Sequence, residues 1–402
     1  MTLTERTGVA EQPWPHEDLA EAWRTARAAV PPGYLNAAAC NVPSDAVLAA
    51  MAGHLDLERS VGGYEAAAQA GPVLDAGRAA IAAYVGLAAQ DVGFVESGTV
   101  AMAVLLGGLR LGAGARVGVL RAEFGSNRML LNRLVAQRGW TLVELAADGH
   151  SRLDLEALAD ELARGLDLVV FPHIASQHGI VQPAQEAGAL CRGAGVPLVL
   201  DICQSLGHVE VGGVDAAAYV GTSRKWLAGP RGVGFVIMPG LAEGAGPDGF
   251  APSVQSHTWD RPEGAPVAGA LRFQTDEASV AGRVGLAVAV QEHRAAGPGR
   301  AYARLAAAGQ AVRHTLDGVG GWRAVEPLGE PSAIVTLRPP AGADPQAAVQ
   351  EAAAKARAAG ITVGAIPVSR APSDMPTPVL RVSPLLGSDM ATVAALAAAL
   401  AR

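Results

Sequence analysis

The sequence predicts an α/β protein, with a mostly parallel, seven-stranded sheet in a large domain and a smaller α+β domain at the C-terminal end. Seven short apolar runs lie within residues 92–238, and most are continuously apolar, as strands covered on both faces are. Longer Ala- and Leu-rich amphipathic stretches separate these runs, which is typical of a doubly wound sheet. Of the 402 residues, 50% are hydrophobic and only 17% are charged, so a disordered chain is excluded.

The elements follow in this order along the chain. A first helix is predicted at 16–30 and ends before Pro31-Pro32. Strands are predicted at 92–96, 116–120, 141–145, 167–171, 196–200, 216–220 and 233–238. The helices between them are predicted at 100–111, 127–138, 153–164 and 184–194. After a Gly- and Pro-rich stretch at 243–253, the pattern predicts helices at 277–294, 301–317 and 344–359 and strands at 331–337, 361–366 and 379–383.

These elements predict a chain in three parts. Residues 1–33 form an N-terminal helical arm that packs on the small domain. Residues 34–255 form the large domain, and residues 256–402 form the small C-terminal domain.

Composition and charge narrow the classes of partner. The net charge of −7 disfavours nucleic acid and anionic membrane surfaces, which require a basic face. No apolar run is long enough to span a membrane, and the N-terminal segment lacks the apolar region of a signal peptide. The three cysteines, Cys40, Cys191 and Cys203, have no metal-site spacing and fit a reducing compartment. We therefore expect a cytoplasmic protein without a metal site that acts on a small molecule.

Polar residues cluster where the predicted strands end. Ligands of an open parallel sheet bind at the carboxyl ends of its strands. The sequence has only two lysines, and Lys225 lies at such an end, whereas Lys355 lies in an Ala-rich helix where a surface role is expected. The other strand-end segments are Ser97-Gly98-Thr99, residues 123–127, residues 173–177 and residues 201–204.

The order of these segments resembles a known family. Asp201-x-x-Gln204-x-x-x-His208 is followed by Thr222-Ser223-Arg224-Lys225 and a Gly- and Pro-rich turn. Together these segments resemble the class V aminotransferase family of fold-type-I pyridoxal 5'-phosphate enzymes. Tyr34-Leu35-Asn36, residues 123–127 and residues 380–384 match further segments in the same order. The resemblance implies the fold-type-I architecture, pyridoxal phosphate as cofactor and a homodimer with active sites at its interface.

The resemblance also implies roles for single residues. Lys225 would hold the cofactor and move the Cα proton, and Asp201 would face the pyridine nitrogen, although an aspartate there is also an ordinary helix cap. Arg381 would bind the substrate carboxylate. The other cofactor candidates are Ser97, Gly98, Thr99, Phe124, His173, Ser176, Gln204, Thr222 and Arg224. The other substrate candidates are Asn36, Tyr64 and Gln177; for Phe124, His173 and Tyr64 a packing role is the alternative.

Two departures from the family pattern bear on the reaction. Cysteine desulfurases of this family carry a catalytic cysteine on the loop before the carboxylate-binding arginine, and residues 360–380 contain none. Persulfide chemistry is therefore not expected. Asp276-Glu277 replaces the Gly-Thr pair with which many relatives contact the phosphate of the partner subunit. No such contact is expected here.

Three further segments resemble one branch of the family. Residues 61–66, 221–234 and 281–285 are similar to the lyases that cleave hercynylcysteine sulfoxide in ergothioneine biosynthesis. The resemblance implies β-elimination from a cysteine S-oxide conjugate, with a thiol or sulfenic product, pyruvate and ammonia. An aminotransferase or amino-acid epimerase would use the same Lys225 and Asp201, and a binding or regulatory protein of this fold is the non-enzyme alternative.

Overall fold

A seven-stranded sheet forms the centre of the protein in a computed structural model that describes residues 14–238 and 269–402. The strands lie in the order β1-β7-β6-β5-β4-β2-β3; the neighbours from β6 to β3 run parallel, and β7 runs antiparallel to both β1 and β6. The mostly parallel sheet predicted from the sequence is thereby confirmed. Its strands are β1 (Val92–Val95), β2 (Arg116–Val119), β3 (Thr141–Glu144), β4 (Leu168–Pro172), β5 (Leu198–Asp201), β6 (Ala218–Thr222) and β7 (Gly234–Ile237).

Both faces of this sheet are covered by helices, which explains why its strands are continuously apolar. Val169 of β4 and Leu198 of β5 face one apolar core, whereas the next residues, Val170 and Val199, face the other. The helices that precede and alternate with the strands are α1 (Glu17–Thr25), α2 (Asp45–Val61), α3 (Gly63–Ala82), α4 (Gly98–Gly108), α5 (Gly125–Arg138), α6 (Leu155–Ala163) and α7 (Ala184–Gly193).

A second, antiparallel sheet of four strands in the order β10-β11-β9-β8 lies in the C-terminal part, as the predicted α+β character requires. A third apolar core joins it to the nearby helices. The elements are α8 (Val280–Ala295), α9 (Pro298–Leu316), β8 (Arg323–Ala324), β9 (Val335–Arg338), α10 (Pro345–Ala358), β10 (Gly364–Ile366), β11 (Val379–Val382) and α11 (Met390–Leu400).

The structure adds elements that the sequence patterns did not predict: α2, α3, β8 and α11. The segment of α2 and α3 contains a Gly62-Gly63 pair and Pro72, which read as helix breakers. Gly62 does end α2, with a φ of 87°, but Pro72 is accommodated inside α3. Both helices pack on α8, so burial outweighs the unfavourable local sequence.

Some predicted segments and domain boundaries are not tested by the structure. The Gly- and Pro-rich stretch at 243–253 lies outside the described residues, and the division at 33 and 255 stays a prediction. The first helix is shorter than predicted, and its buried Trp23 belongs to the same apolar cluster as Leu385 and Leu386. None of the helices within residues 14–238 and 269–402 has the length and apolar character needed to cross a membrane.

Candidate active site

A cavity of about 350 Å³ lies at the carboxyl ends of the parallel strands, where the polar segments were expected to meet. All but four of the predicted site residues line it. Those that line it are Ser97, Gly98, Thr99, Phe124, Ser176, Asp201, Gln204, Thr222, Arg224, Lys225 and Arg381. The exceptions are Asn36, Tyr64, His173 and Gln177. The cavity also receives Asn127, Cys203, Arg231 and Arg370, for which the sequence had suggested no site role.

Lys225 lies on a tight turn that follows β6. The N–H of Gly229 donates to the carbonyl of Ser223 at 3.1 Å, and a Cβ on Gly229 would lie 2.2 Å from the Ser223 Oγ. Glycine is therefore required for this turn, which directs the lysine to the cavity. Burial, with smaller contributions from like-charge repulsion by Arg224 and Arg381, lowers the pKa of the Lys225 amine to about 8. At neutral pH the turn thus presents an amine that is readily deprotonated.

Asp201, the last residue of β5, is held by two N–H donors. Its Oδ1 accepts from the N–H of Cys203 at 2.8 Å, and its Oδ2 accepts from Asn127 Nδ2 at 3.1 Å. The same Asn127 nitrogen donates to Glu123 Oε1 at 3.0 Å. Burial, together with the nearby Asp201 charge, raises the pKa of Glu123 to about 8. Glu123 is therefore largely neutral at pH 7, and Asp201 is the carboxylate that faces the cavity.

One end of the cavity has the donors of an anion site. Ser97 caps α4 by accepting from the N–H of Val100 at 3.1 Å. Gly98 and Thr99, whose N–H groups belong to the first turn and have no acceptor within the helix, line the cavity. A Cβ on Gly98 would lie 2.5 Å from the Cys203 Sγ, so the backbone approaches closely here only without a side chain. The Thr222 hydroxyl and the Arg224 guanidinium line the same cavity, and Arg224 also donates to the Ala39 carbonyl.

Arg381, in β11, brings a buried guanidinium from the second sheet. Its Nη1 donates to the Ser176 carbonyl at 2.6 Å, whereas its Nε has no partner among the described residues. Burial and the neighbouring Arg370 and Arg224 lower the pKa of Arg381 to about 9. Such a group gains from an anionic ligand that satisfies its free donors.

Phe124 and Gln204 line the cavity, and each side chain has defined neighbours. The Phe124 ring faces Arg370 across the cavity wall. Gln204 is fixed, because its Nε2 donates to the Ala38 carbonyl and its Oε1 accepts from Trp226 Nε1, both at 3.0 Å. The ring of His208 stacks on the Trp226 ring at 3.8 Å and so supports the partner of Gln204.

Four predicted residues lie outside the cavity in this chain. His173 is buried, and burial lowers the pKa of its imidazole to about 4. Gln177 is also buried and donates to the Ala122 carbonyl at 2.9 Å and to Asp374 Oδ2 at 3.0 Å. Asn36 lies where β10 and β11 meet the N-terminal segment, and its Oδ1 has no partner among the described residues. Tyr64 begins α3 and is 91% exposed.

Sequence reasoning assigned no site role to Asn127 and Arg370, because no motif in the sequence indicates one for them. Asn127 lies in the first turn of α5, and Glu123, to which it donates, lies just before the helix, so no helical spacing connects the two in the sequence. Arg370 comes from a loop of the C-terminal part, and its position depends on how that loop packs against α5.

The model of one family, described as aminotransferase class V, matches residues 34–259. The chain belongs to this family. It is 41% identical over 373 residues to a protein named probable hercynylcysteine sulfoxide lyase from Mycobacterium tuberculosis, a match that covers 92% of this chain and 89% of that protein. It is 26% identical over 301 residues to an isopenicillin N epimerase from Amycolatopsis lactamdurans, which covers 68% and 73% of the two chains.

Solved structures share the fold. A cysteine desulfurase from Thermococcus onnurineus has a TM-score of 0.80 at 19% identity and covers 96% of this chain and 97% of its own. The cystine C–S lyase C-DES, in complex with cysteine persulfide, has a TM-score of 0.81 at 19% identity, with 94% and 99% covered. The fold-type-I architecture predicted from the sequence is confirmed.

Pyridoxal phosphate is the cofactor of this family, and the cavity fits it. The group requires an amine, a carboxylate for its pyridine nitrogen, an anion site for its phosphate and an apolar face. Lys225 could supply the first, Asp201 the second, the α4 N-terminus with Arg224 the third and Phe124 the fourth, since all of them line the cavity. The space left by Gly98 is the structural observation that supports this fit, because a Cβ would fill it.

Proposed function

We propose that this chain is a pyridoxal phosphate-dependent carbon–sulfur lyase that cleaves hercynylcysteine sulfoxide by β-elimination. The products are a sulfenic acid related to ergothioneine, pyruvate and ammonia. The similarity to the mycobacterial lyase carries this proposal, since 41% identity extends over most of both chains. The cavity supports it, because it combines Lys225, Asp201 and Arg381, the three groups that the reaction requires.

Lys225 is the proposed base of the reaction. The bound cofactor supplies an electron sink for the bonds at Cα of an attached amino acid. With a pKa near 8, the Lys225 amine is deprotonated in a useful fraction near neutral pH and can accept the Cα proton. Arg381 would fix the α-carboxylate and thereby decide which bond at Cα faces Lys225. Asp201 would keep a proton on the pyridine nitrogen, because a carboxylate stabilises the adjacent cation.

The thiols of the chain favour elimination over persulfide chemistry. Gly360 to Leu380 contains no cysteine, and the cavity thiol is that of Cys203. Burial and the adjacent Asp201 raise the pKa of Cys203 well above its usual value, so the reactive thiolate is scarce. Because a sulfoxide leaves more readily than a thioether, the reaction needs no thiol and little acid assistance at sulfur.

We also propose that the chain acts as a homodimer in the cytoplasm. Seven large hydrophobic side chains are exposed among the described residues, and five of them lie on α2 and α3: Leu48, Leu55, Val61, Tyr64 and Val73. A second copy of the chain is the proposed cover for this face, with Tyr64 directed at the partner's substrate. The three cysteines are free in the structure, as expected in a reducing compartment.

Pyruvate release from hercynylcysteine sulfoxide tests the activity. We expect the purified chain to release pyruvate and to show the visible absorbance of bound cofactor. Lys225→Ala abolishes both, whereas Lys355→Ala, which changes the only other lysine, leaves both intact. Inversion at Cα without pyruvate would instead support an epimerase, the alternative that the similarity to isopenicillin N epimerase favours. Amino-group transfer to a keto acid would support an aminotransferase.

Light scattering tests the dimer. Leu55→Glu places a charge on the proposed interface and is expected to shift the protein to monomer mass. Met129→Glu is the matched control, because Met129 is 63% exposed but lies on α5, away from this face. A monomeric wild-type chain, or an unchanged Leu55→Glu variant, would contradict the proposed interface.

A further inference from the structure

Arg370 brings an additional cation to the cavity. Its guanidinium carbon lies 5.7 Å from the centre of the Phe124 ring. Its side chain is exposed and has no hydrogen-bond or ion-pair acceptor within residues 14–238 and 269–402. The donors of Arg370 are therefore available to a ligand that stands beside the Phe124 ring.

The loop that carries Arg370 is fixed by several contacts. Asp374 accepts from Gln177 Nε2 at 3.0 Å, and its Oδ2 lies 3.2 Å from His178 Nε2. A Cβ on Gly125 would lie only 2.8 Å from the Arg370 carbonyl oxygen, so the loop backbone packs directly on the start of α5. These contacts hold the backbone of Arg370 beside the cavity that its side chain lines, before any ligand binds.

The charges around the cavity are not balanced. Its lining includes Lys225 and the arginines 224, 231, 370 and 381, but only one carboxylate, that of Asp201. Arg370 and Arg381 repel each other, as the lowered pKa of Arg381 indicates. The cofactor phosphate accounts for Arg224, and an α-carboxylate accounts for Arg381. Arg231 and Arg370 remain without an assigned anion, and Arg370 is the one that lies next to the Phe124 ring.

We propose that Arg370 binds a second carboxylate, carried by the leaving group of the substrate. The substrate class is then a cysteine S-oxide conjugate with an acidic group on the far side of sulfur. This inference rests on the proposed function, since it concerns the same cavity and the same reaction. It makes Arg370 a specificity-determining residue, with Arg381 for the α-carboxylate and Arg370 for the distal one.

Binding of amino acids that cannot undergo elimination tests the subsite without the reaction. The holoenzyme is titrated by calorimetry with L-α-aminoadipate and L-α-aminopimelate and with their side-chain amides. We expect at least one diacid to bind about 10- to 100-fold more tightly than its amide, as a charge-assisted hydrogen bond allows. Arg370→Gln is expected to remove this preference. Arg133→Gln, which changes an exposed arginine on α5 outside the cavity, is expected to retain it.

Three results would overturn the subsite. They are equal binding of diacids and amides by the wild-type chain, an unchanged preference in Arg370→Gln, and loss of the preference in Arg231→Gln but not in Arg370→Gln. Thermal unfolding of each variant, and its cofactor absorbance, show whether the protein remains folded and loaded.

Pyruvate assays then separate the subsite from the proposed function. The kcat/KM for S-carboxymethyl-cysteine S-oxide is compared with that for its carboxamide. Arg370→Gln is expected to lower the first about 10- to 100-fold and to leave the second nearly unchanged. If the wild-type chain cleaves no S-oxide yet prefers diacids through Arg370, the proposed function fails while the subsite stands. Cleavage of both substrates with equal kcat/KM would overturn the subsite and retain the lyase.

Discussion

Lys225 should react with added cofactor far faster than an ordinary lysine at neutral pH. Its pKa is lowered from 10.5 to about 8 by burial, with contributions from Arg224 and Arg381. At pH 7.5 a pKa of 8 leaves about a quarter of the amine unprotonated, whereas a pKa of 10.5 leaves about one part in a thousand. The fraction that can attack an aldehyde is thus about 200-fold larger than without these neighbours.

The pH dependence of cofactor binding measures this pKa. The cofactor is removed, pyridoxal phosphate is added at a series of pH values, and the visible absorbance of the loaded protein is followed in time. We expect the rate to rise with pH, to reach half its maximum near pH 8 and to level off about one unit higher, where most of the amine is deprotonated. A rate that continues to rise to pH 10 would refute the argument. Lys355→Ala is the control, since only two lysines are present.

Two variants test the cause of the shift in opposite directions. Arg381→Gln removes a like charge, so the pKa of Lys225 should rise and the levelling-off point should move to higher pH. Asp201→Asn removes a carboxylate that stabilises the ammonium, so the pKa of Lys225 should fall and the point should move to lower pH. If the two substitutions only destabilised the fold, they would not shift the pKa of Lys225 in opposite directions.

Three further substitutions concern glycines: Gly98 lines the cavity, Gly125 contacts the Arg370 loop, and Gly53 is an open position on α2. Gly98→Ala should weaken cofactor binding, because the new Cβ would lie 2.5 Å from the Cys203 Sγ, and Cys203→Ala in the same chain should restore the dissociation constant measured by absorbance titration. Gly125→Ala should lower the free energy of unfolding by about 1–3 kcal/mol through its contact with the Arg370 carbonyl. Gly53→Ala, where no atom lies within 4 Å, should instead raise the free energy of unfolding by about 0.5–1 kcal/mol. Urea unfolding of the paired variants decides between these signs.

The strand-end residues could be predicted because one rule places them together. Asp201 and Thr222 end neighbouring parallel strands, and Lys225 follows the second of them, so their meeting depends only on the order of the strands. Gly98, which follows β1, joins them because β7 runs antiparallel between β6 and β1. Gly234 of β7 passes so close to Ser97 that a Cβ on Gly234 would clash with the Ser97 backbone. Motifs and hydrophobic periodicity were sufficient for this part of the site.

The remaining site residues depend on packing between elements that are distant in sequence. Asn127 reaches Asp201 only because α5 begins above the carboxyl end of β5. Arg370 reaches the cavity because Gly125 lets its loop approach α5, a contact between segments that no local pattern connects. Tyr64 is the opposite case, since its segment resembles the family but its side chain is exposed and does not line the cavity of its own chain.

Gln177 shows how a residue outside the cavity can still affect it. Its amide nitrogen donates to the Ala122 carbonyl, just before the Phe124 segment, and to Asp374, four residues after Arg370. It therefore joins the wall that carries the aromatic ring to the loop that carries the second guanidinium. The sequence predicts that Gln177 contacts the substrate. In this structure Gln177 would instead affect binding indirectly, by holding Phe124 and Arg370 in position. The segment after β4 thus holds in place two residues that line the cavity, Phe124 and Arg370.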